Sequence, residues 1–265
     1  GVTGTNGKTT VCNMIEDCLK ENGYKFIDNH LGSNINSGLA STLIEGSSLL
    51  GKQKKDLAVF EIDERSAVKI YPYITPTYLV CTNLFRDSLK RNAHTEFISN
   101  ILTNNIPKET KLILNGDDLI VAGLAPKNER VYFGIDRLET DLEKCENIVR
   151  DITVCPKCDT KLEYDFVRYN HVGRAHCPKC EFASPKINYE LTNIDFEKME
   201  MWVKDEGNEE KYNIINNNII NIYNMLATIT VLKEMGLTRN QINPVLKKQK
   251  IVELNRIYKK KHPLM

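Results

Sequence analysis

Residues 3 to 10 read Thr3-Gly4-Thr5-Asn6-Gly7-Lys8-Thr9-Thr10, a glycine-rich segment that ends in Gly-Lys-Thr. Such a segment wraps a phosphate because its glycines let backbone N–H groups turn towards the anion. Lys8 is then expected to reach the β- and γ-phosphates of a nucleotide, and the Thr9 hydroxyl to bind Mg²⁺. This phosphate loop predicts the nucleotide-binding residues Gly4, Thr5, Asn6, Gly7, Lys8, Thr9 and Thr10.

An amphipathic helical pattern follows the phosphate loop at once. Its apolar residues share one face and are followed by a glycine stop; they are Val11, Met14, Ile15, Cys18 and Leu19, with Gly23 at the end. A bound phosphate would therefore lie at a helix N-terminus, where free N–H groups and the helix dipole favour negative charge. The strict loop pattern has glycine where this chain has Val2. The alternative interpretation is a glycine turn before an ordinary amphipathic helix.

Composition limits the class of protein. The 265 residues carry a formal net charge of +1, so no global field attracts the chain to nucleic acid. No signal peptide and no apolar run near the length of a membrane span is present. Four of the eight cysteines are paired in a motif, and the others (Cys12, Cys18, Cys81 and Cys145) are scattered, as is typical of a reducing compartment. We expect a soluble cytoplasmic protein.

Both ends of the chain resemble cut ends. Only Gly1 and Val2 precede the phosphate loop, although such a loop normally follows a buried strand. From Leu246 onward, seven Lys/Arg residues accompany the single acid Glu253. Residues 246–265 are therefore interpreted as a linker or the start of a missing C-terminal domain, and the chain as a piece of a longer protein.

Short apolar runs alternate with helical patterns, which indicates an α/β fold with a mainly parallel sheet. The strand candidates end in polar residues and are Leu57–Phe60, Tyr78–Cys81, Leu112–Leu114 and Val131–Phe133. Because ligands bind beyond the carboxyl ends of such strands, these polar ends should converge on the phosphate loop. Residues 221–235 predict a helix with Met225, Leu226, Ile229 and Leu232 on its buried side, stopped by Gly236.

A second chemical signal consists of two Cys-x-x-Cys turns. Cys155 and Cys158 are separated by eighteen residues from Cys177 and Cys180, which is typical of a four-thiolate zinc site. Four protein ligands close the coordination sphere, so the predicted site is structural, and iron is the main rival metal. The intervening strands could not build a core alone, so metal binding would supply on the order of 10 kcal/mol.

Zinc ribbons often bind nucleic acid, but the charge of this one argues against that role. Residues 151–186 contain six Lys/Arg and five Asp/Glu, whereas a phosphate-binding ribbon should have a clearly basic face. His171 and His176 lie inside the ribbon. Because four thiolates already complete the site, both histidines are interpreted as surface or packing residues.

Together these motifs resemble the Mur ligase family, whose phosphate loop also reads Thr-Gly-Thr-Asn-Gly-Lys-Thr. Three further segments carry the resemblance: Phe60-Glu61-Ile62-Asp63-Glu64, Thr82-Asn83-Leu84-Phe85-Arg86-Asp87 and Asn221-Ile222-Tyr223-Asn224. The inserted ribbon is similar to that of the amidating branch of the family. Ser88–His94 and Leu254–Tyr258 depart from the family pattern. The resemblance implies a Mur ligase central domain (1–150 and 187–245) with a zinc-ribbon insert (151–186).

The resemblance also implies an activity, ATP-dependent amidation of the D-glutamate α-carboxyl of lipid II in peptidoglycan biosynthesis. A GatD-type glutaminase partner would supply the ammonia. Lys8 would neutralise the transferring phosphoryl group, Glu61 and Thr9 would hold Mg²⁺, and Asn83 and Asp87 would position a second ion or the acyl phosphate. Asn221 and Asn224 would hold the nucleotide or only cap a helix.

Two other functions stay open from the sequence. One is a Mur-type ligase that adds an amino acid, as a folylpolyglutamate synthase does; the inserted ribbon disfavours it. The other is a zinc-ribbon nucleic-acid-binding protein whose glycine loop is incidental; the near-neutral ribbon disfavours it.

Overall fold

The computed structural model describes residues 1–29, 36–48, 54–86, 95–144 and 151–248. Within these ranges the strands are β1 (Val2–Thr3), β2 (Phe26–Asp28), β3 (Leu57–Val59), β4 (Tyr78–Cys81), β5 (Lys111–Asn115), β6 (Arg130–Ile135), β7 (Glu163–Tyr169), β8 (Val172–His176), β9 (Tyr189–Asp195), β10 (Glu200–Asp205) and β11 (Asn208–Asn213). The helices are α1 (Lys8–Glu21), α2 (Asn36–Glu45), α3 (Ala67–Ile70), α4 (Thr95–Asn105), α5 (Leu119–Ala122), α6 (Ile219–Glu234) and α7 (Arg239–Lys248), with a 3-10 turn at Glu64–Ser66.

The main sheet has seven strands in the order β1-β4-β5-β6-β9-β10-β11. The pairs from β1 to β9 are parallel, and β10 and β11 add an antiparallel edge. This confirms the mainly parallel α/β prediction and the strand predictions that became β4, β5 and β6. The remaining run, Leu57–Phe60, forms β3, which pairs with β2 in a separate sheet. Beyond β3 the chain continues beside β1, where the Val2 amide donates to the Phe60 carbonyl at 2.8 Å.

Strands β4 and β5 are buried on both faces, as central parallel strands are when helices cover each side. Leu79 and Cys81 of β4 pack on one side with Leu112 of β5 and with helices α3 and α4. Val80 and Ile113 pack on the other side with α1 and α6. The continuous apolar runs read from the sequence therefore correspond to two hydrophobic clusters separated by the sheet.

Helix α6 lies between the sheet and α1, and every residue from Ile222 to Leu232 is buried. The sequence predicted one buried side, but a helix that is apolar nearly all round is surrounded by other elements. Helix α7 also packs against α1, and it continues to Lys248 with Leu246 fully buried. The packed domain thus extends beyond residue 245, where the sequence predicted that it ends.

The segment 151–186, for which the sequence predicts a zinc-ribbon insert, contains the hairpin of β7 and β8 with the two Cys-x-x-Cys turns at its far end. We call this segment the ribbon. Short bridges, Val154 to Lys161 and His176 to Ala183, close the two turns. No helix among the described residues is long and apolar enough to cross a membrane.

Candidate functional site

The phosphate loop connects β1 to α1 and contains two glycines in the left-handed region. Gly4 has φ +127° and Gly7 has φ +89°, conformations that strain other residues. A Cβ at Gly4 would lie 2.3 Å from Thr82 Oγ1, and one at Gly7 would lie 2.2 Å from Asn224 Oδ1. Both glycines are therefore required by backbone conformation and by neighbouring atoms, which accounts for their places in the motif.

The segment that follows β4, Thr82–Arg86, holds the loop in place, and we call it the clamp segment. The Asn83 side chain accepts a hydrogen bond from the Asn6 amide (3.0 Å) and donates one to the Asn6 carbonyl (3.1 Å). Thr82 Oγ1 donates to the same carbonyl at 2.6 Å, and the Thr5 amide donates to the Asn83 carbonyl at 2.8 Å. The Asn83 side chain thus fixes the loop backbone, and its role in positioning a second ion or the acyl phosphate stays a prediction.

Lys8 lies at the first turn of α1 with its ammonium folded over the loop. Its Nζ donates to the Gly4 carbonyl at 2.6 Å and to Glu64 Oε1 at 3.1 Å. Glu64 Oε1 also accepts a hydrogen bond from the Gly4 amide at 2.9 Å. Burial raises the pKa of Glu64, and the neighbouring Lys8 ammonium opposes that shift. Glu64 is a site residue that sequence reasoning missed, although it belongs to the acidic motif after β3.

The predicted Mg²⁺ ligands, Thr9 and Glu61, are brought together. Thr9 Oγ1 donates to Glu61 Oε2 at 2.7 Å, although the two residues are far apart in sequence. Asn29 holds the backbone of Glu61 from both sides, since it donates to the Glu61 carbonyl and accepts from its amide, each at 2.9 Å. A carboxylate beside a threonine hydroxyl at a phosphate loop is a donor set that suits Mg²⁺.

The two asparagines predicted to hold the nucleotide occupy different positions. Asn224 is buried in α6 against Gly7. Asn221 donates to Asn216 Oδ1 at 3.3 Å, at the start of the same helix. The helix cap is neither of them but Asn218, whose side chain accepts from the Ile220 amide at 2.9 Å. Asp87, Ser88–His94 and Leu254–Tyr258 lie outside the described residues.

The four predicted metal-binding cysteines converge at the far end of the ribbon, and their sulfur atoms lie within 4.8 Å of one another. Three of the Sγ–Sγ distances are 3.5, 3.5 and 3.7 Å, between Cys155 and Cys180, Cys158 and Cys177, and Cys158 and Cys180. A tetrahedral ion with metal–sulfur bonds of about 2.3 Å separates its ligands by about 3.8 Å. The thiolates therefore fit one tetrahedral ion.

The backbone of the two cysteine turns supports the same geometry. In each turn an amide two residues on, from Lys157 or Lys179, donates to the first sulfur at 3.4 Å. The two turns are thus built alike, each aiming a pair of sulfurs at a common point.

The other end of the ribbon is joined to the main domain by a buried charge network. Arg168 of β7 contacts Asp141 at 2.7 Å and Asp117 at 3.3 Å, and these side chains are at most 3% exposed. Tyr223 of α6 donates to Asp117 Oδ2 at 2.6 Å. Burial raises the pKa of Asp117, and Arg168 and Tyr223 oppose the shift. Paired ions hidden from water fix the ribbon on the domain, because separating them would leave a buried charge unpaired.

The two ribbon histidines differ. The His176 side chain is 45% exposed and pairs with Asp165 at 3.1 Å, whereas that of His171 is 2% exposed between carboxylates. His176 fits the surface role expected from the sequence. His171 is fully enclosed.

Comparisons with known proteins agree with this architecture. Residues 2–232 match the family described as the Mur ligase middle domain. The chain is 35% identical over 243 residues to the lipid II isoglutaminyl synthase (glutamine-hydrolyzing) subunit MurT of Staphylococcus aureus, a match that covers 91% of this chain and 53% of that protein. The MurT subunit of Streptococcus pneumoniae is 32% identical, over 89% of this chain and 52% of its own length.

Solved structures show the same fold. A pseudomurein peptide ligase type C from Methanothermus fervidus superposes with a TM-score of 0.74 and 26% identity, covering 95% of this chain and 49% of its own. MurF from Acinetobacter baumannii superposes with a TM-score of 0.64 at 13% identity, over 95% of this chain and 46% of its own, which concerns the fold alone. The chain spans about half the length of the curated relatives it matches. Sequence and fold agree that the chain belongs to the Mur ligase family, whose middle domain it contains.

Proposed function

We propose that the chain is the ATP-binding part of a ligase that amidates the D-glutamate α-carboxyl of lipid II to D-isoglutamine in peptidoglycan biosynthesis. The observation that carries the proposal is the meeting of Lys8, Thr9 and Glu61 at the phosphate loop. One cation and one hydroxyl–carboxylate pair lie where a nucleotide's terminal phosphates and their Mg²⁺ would be bound. The similarity to two MurT subunits favours amidation over other ligase reactions.

The chemistry requires activation of a carboxylate, which is a poor electrophile. A carboxylate oxygen attacks the γ-phosphorus of ATP, so that ADP leaves and an acyl phosphate forms. Ammonia then attacks the acyl carbon; a C–N bond forms, the C–O bond to phosphate breaks, and inorganic phosphate leaves with the electron pair of that bond. The attacking nitrogen releases one proton to the leaving phosphate or to solvent, which gives the carboxamide. Lys8 would stabilise the negative charge on the phosphoryl oxygens during the first step.

Lys8 can stabilise the phosphoryl group if its ammonium exchanges its present hydrogen-bond acceptors for phosphate oxygens. Its ammonium already lies over the loop, bound to the Gly4 carbonyl and Glu64. A phosphate in the loop would offer anionic oxygens to the same ammonium, while Glu64 keeps the Gly4 amide oriented. Glu61 and Thr9 would hold the Mg²⁺ that screens the triphosphate.

We further propose that the four cysteines hold one structural zinc ion and that ammonia comes from a GatD-type glutaminase subunit. The MurT relatives are named as subunits of a glutamine-hydrolyzing synthase, which supports a partner chain. With all four metal positions occupied by protein, the zinc would have no open site for catalysis.

The test uses the complete protein that carries this chain, with ATP, lipid II and ammonium, and follows the mass of the product. Amidation replaces a hydroxyl by an amino group and lowers the mass slightly. Glutamine should replace ammonium only when the glutaminase subunit is added. Loss of ATP-dependent product in Lys8→Ala, with activity kept in Lys20→Ala at the exposed side of the same helix, would support the assignment.

A second candidate function is addition of an amino acid to a cell-wall peptide. The 26% identity to a pseudomurein peptide ligase over 95% of this chain favours it. The same assay separates the two reactions, because adding an amino acid raises the product mass by a whole residue. A product of that kind, formed with an amino acid and not with ammonium, would overturn the amidation proposal.

A further inference from the structure

The clamp segment has hydrogen-bond partners on two sides, and they alternate along the chain. Asn83 and Phe85 face the phosphate loop; the Phe85 amide donates to Thr5 Oγ1 at 3.1 Å, and that hydroxyl donates back to the Phe85 carbonyl. The amides of Leu84 and Arg86 face the opposite way. They donate to Asp118 Oδ2 at 2.8 Å and to Asp151 Oδ2 at 3.1 Å. The loop and these two carboxylates are thus connected through one extended segment.

His171 lies between the two carboxylates. Its Nε2 is 3.0 Å from Asp118 Oδ1 and its Nδ1 is 3.7 Å from Asp151 Oδ2. The three side chains are at most 3% exposed. Carboxylate oxygens only accept hydrogen bonds, so the ring donates from Nε2 to Asp118. The Nδ1 contact with Asp151 is too long for a hydrogen bond, and a positively charged imidazolium there forms an ion pair. Arg86 also faces Asp151, with its Nε 3.9 Å from Asp151 Oδ1.

His171 belongs to the turn between β7 and β8, at the end of the ribbon opposite to the cysteines. The turn is fixed by its neighbours. The Tyr169 ring meets Phe85 of the clamp segment edge-on, with ring centroids 6.4 Å apart. The Gly173 amide donates to the Asp117 carbonyl at 2.8 Å. Packing and backbone bonds therefore hold His171 against the clamp segment.

We propose that His171 is a positioning residue of the nucleotide site, which holds Asp118 and Asp151 so that they in turn hold the clamp segment against the phosphate loop. The inference rests on the proposed function in that it takes the loop to bind ATP. Without the imidazolium, two buried carboxylates would face each other with less compensating charge. Each carboxylate would lose the partner that fixes its position, and its hydrogen bond to the Leu84 or Arg86 amide would weaken.

The experiment measures the dissociation constant of Mg²⁺–ATP for the zinc-loaded chain by calorimetry, in the wild type and in His171→Gln. We expect about tenfold weaker binding in the variant, the size of one lost charge-assisted hydrogen bond. The matched control is His176→Gln, which changes the exposed histidine of the same hairpin and should bind as the wild type does. In the complete enzyme the KM for ATP should rise more than kcat falls.

A pH series gives a readout that a merely structural residue would not show. The carboxylates Asp118 and Asp151 raise the pKa of His171 to about 9, although burial opposes them. Among the described residues, Arg86 faces Asp151 and the buried Tyr169 phenol lies in the field of Asp118. Wild-type binding of Mg²⁺–ATP should weaken as pH rises through 9, and the affinity of His171→Gln should lack this step.

Asp151→Asn keeps the proposal testable if His171→Gln fails to fold. It removes the charge of one of the two carboxylates that face His171. The affinity of this variant for Mg²⁺–ATP should therefore fall at a lower pH than the affinity of the wild type does. Equal affinities in wild type and His171→Gln, or a step unmoved by Asp151→Asn, would overturn the role of His171 alone. Failure of the wild type to bind Mg²⁺–ATP at any pH would overturn the proposed function and this inference with it.

Discussion

The phosphate loop and the cysteine end of the ribbon are both tight turns, but their order has different sources. The loop lies between β1 and α1, and the clamp segment bonds its backbone from the side. The cysteine end has only a small cluster of buried residues: Leu119, Cys155, Leu162, Ala175 and Cys177. Its surrounding side chains are open to solvent, for example Glu181 at 88% exposure. The domain core therefore orders the loop, whereas the cysteine end would be ordered by the proposed zinc ion.

The end of the ribbon opposite to the cysteines, which we call its inner end, lies between these two regions. Like the phosphate loop, it is ordered by contacts with the main domain. Arg168 and His171 are buried against acidic residues of the main domain. With the proposed zinc, one insert would have an end ordered by metal and an end ordered by the domain core. This difference can be tested by removing the metal from the cysteine end or by changing a residue of the phosphate loop.

Removing the metal should have the largest effect and should be confined to the cysteine end. Binding of a structural zinc supplies on the order of 10 kcal/mol, so Cys158→Ser or a strong chelator should unfold this end. Hydrogen exchange should show lost protection at Leu162 and Cys177, while Leu79 and Ile113 in the sheet stay protected. Elemental analysis should find one zinc per chain before treatment. An equal loss of hydrogen-exchange protection in the sheet would contradict the expectation that only the cysteine end depends on the metal.

Lys8→Ala should have the converse effect, on phosphoryl transfer and not on the ribbon. We expect turnover of the complete enzyme to fall more than about 100-fold, because the ammonium meets the transferring group directly. Zinc content should be unchanged. Lys20→Ala, on an exposed position of α1, is the control. Normal turnover in Lys8→Ala would remove the phosphate-loop assignment.

Two glycines that flank α1, one before it and one after it, separate the cost of crowding at the phosphate loop from the cost of backbone strain. Gly7 and Gly23 have similar φ values, +89° and +79°, but a Cβ at Gly23 would have no atom within 4 Å. Gly23→Ala should cost about 1 kcal/mol of unfolding free energy from strain alone. Gly7→Ala should cost about 2 to 3 kcal/mol, because its Cβ would also displace Asn224. Urea titration of both variants measures the difference, and equal costs would contradict the close packing.

His171 should also make a pH-dependent contribution to stability. Its pKa is raised from 6.5 to about 9 in the folded chain, so the protonated form is favoured by folding. The contribution is therefore complete below pH 6.5 and is lost as pH rises through 9. The stability of the wild type relative to His171→Gln should fall by up to about 3 kcal/mol over this window, the free energy that corresponds to a pKa change from 6.5 to about 9. Urea titrations at both ends of the window measure it, and a constant difference would contradict a charged His171.

The parts of the molecule whose sequence pattern spans only a few positions could be predicted. The phosphate loop, the cysteine pairs and strands β4 to β6 each depend on residues a few positions apart. The hairpin of β10 and β11 had a weaker signal and was missed. Its two-residue turn, Glu206 and Gly207, has φ values of +42° and +92°, a turn that usually shows itself through Asn-Gly or Asp-Gly.

The sequence by itself determined which chemical groups this protein has, namely a lysine and threonine in a phosphate loop, acids after a strand, and four thiolates in two turns. Only the tertiary structure decided how they are used. It paired Glu64 with Lys8, turned Asn83 towards the loop backbone, and enclosed His171 between Asp118 and Asp151. The physical reason is that hydrogen bonds and ion pairs depend on distance in space. No local pattern records which of several acids the fold will bury beside a given cation.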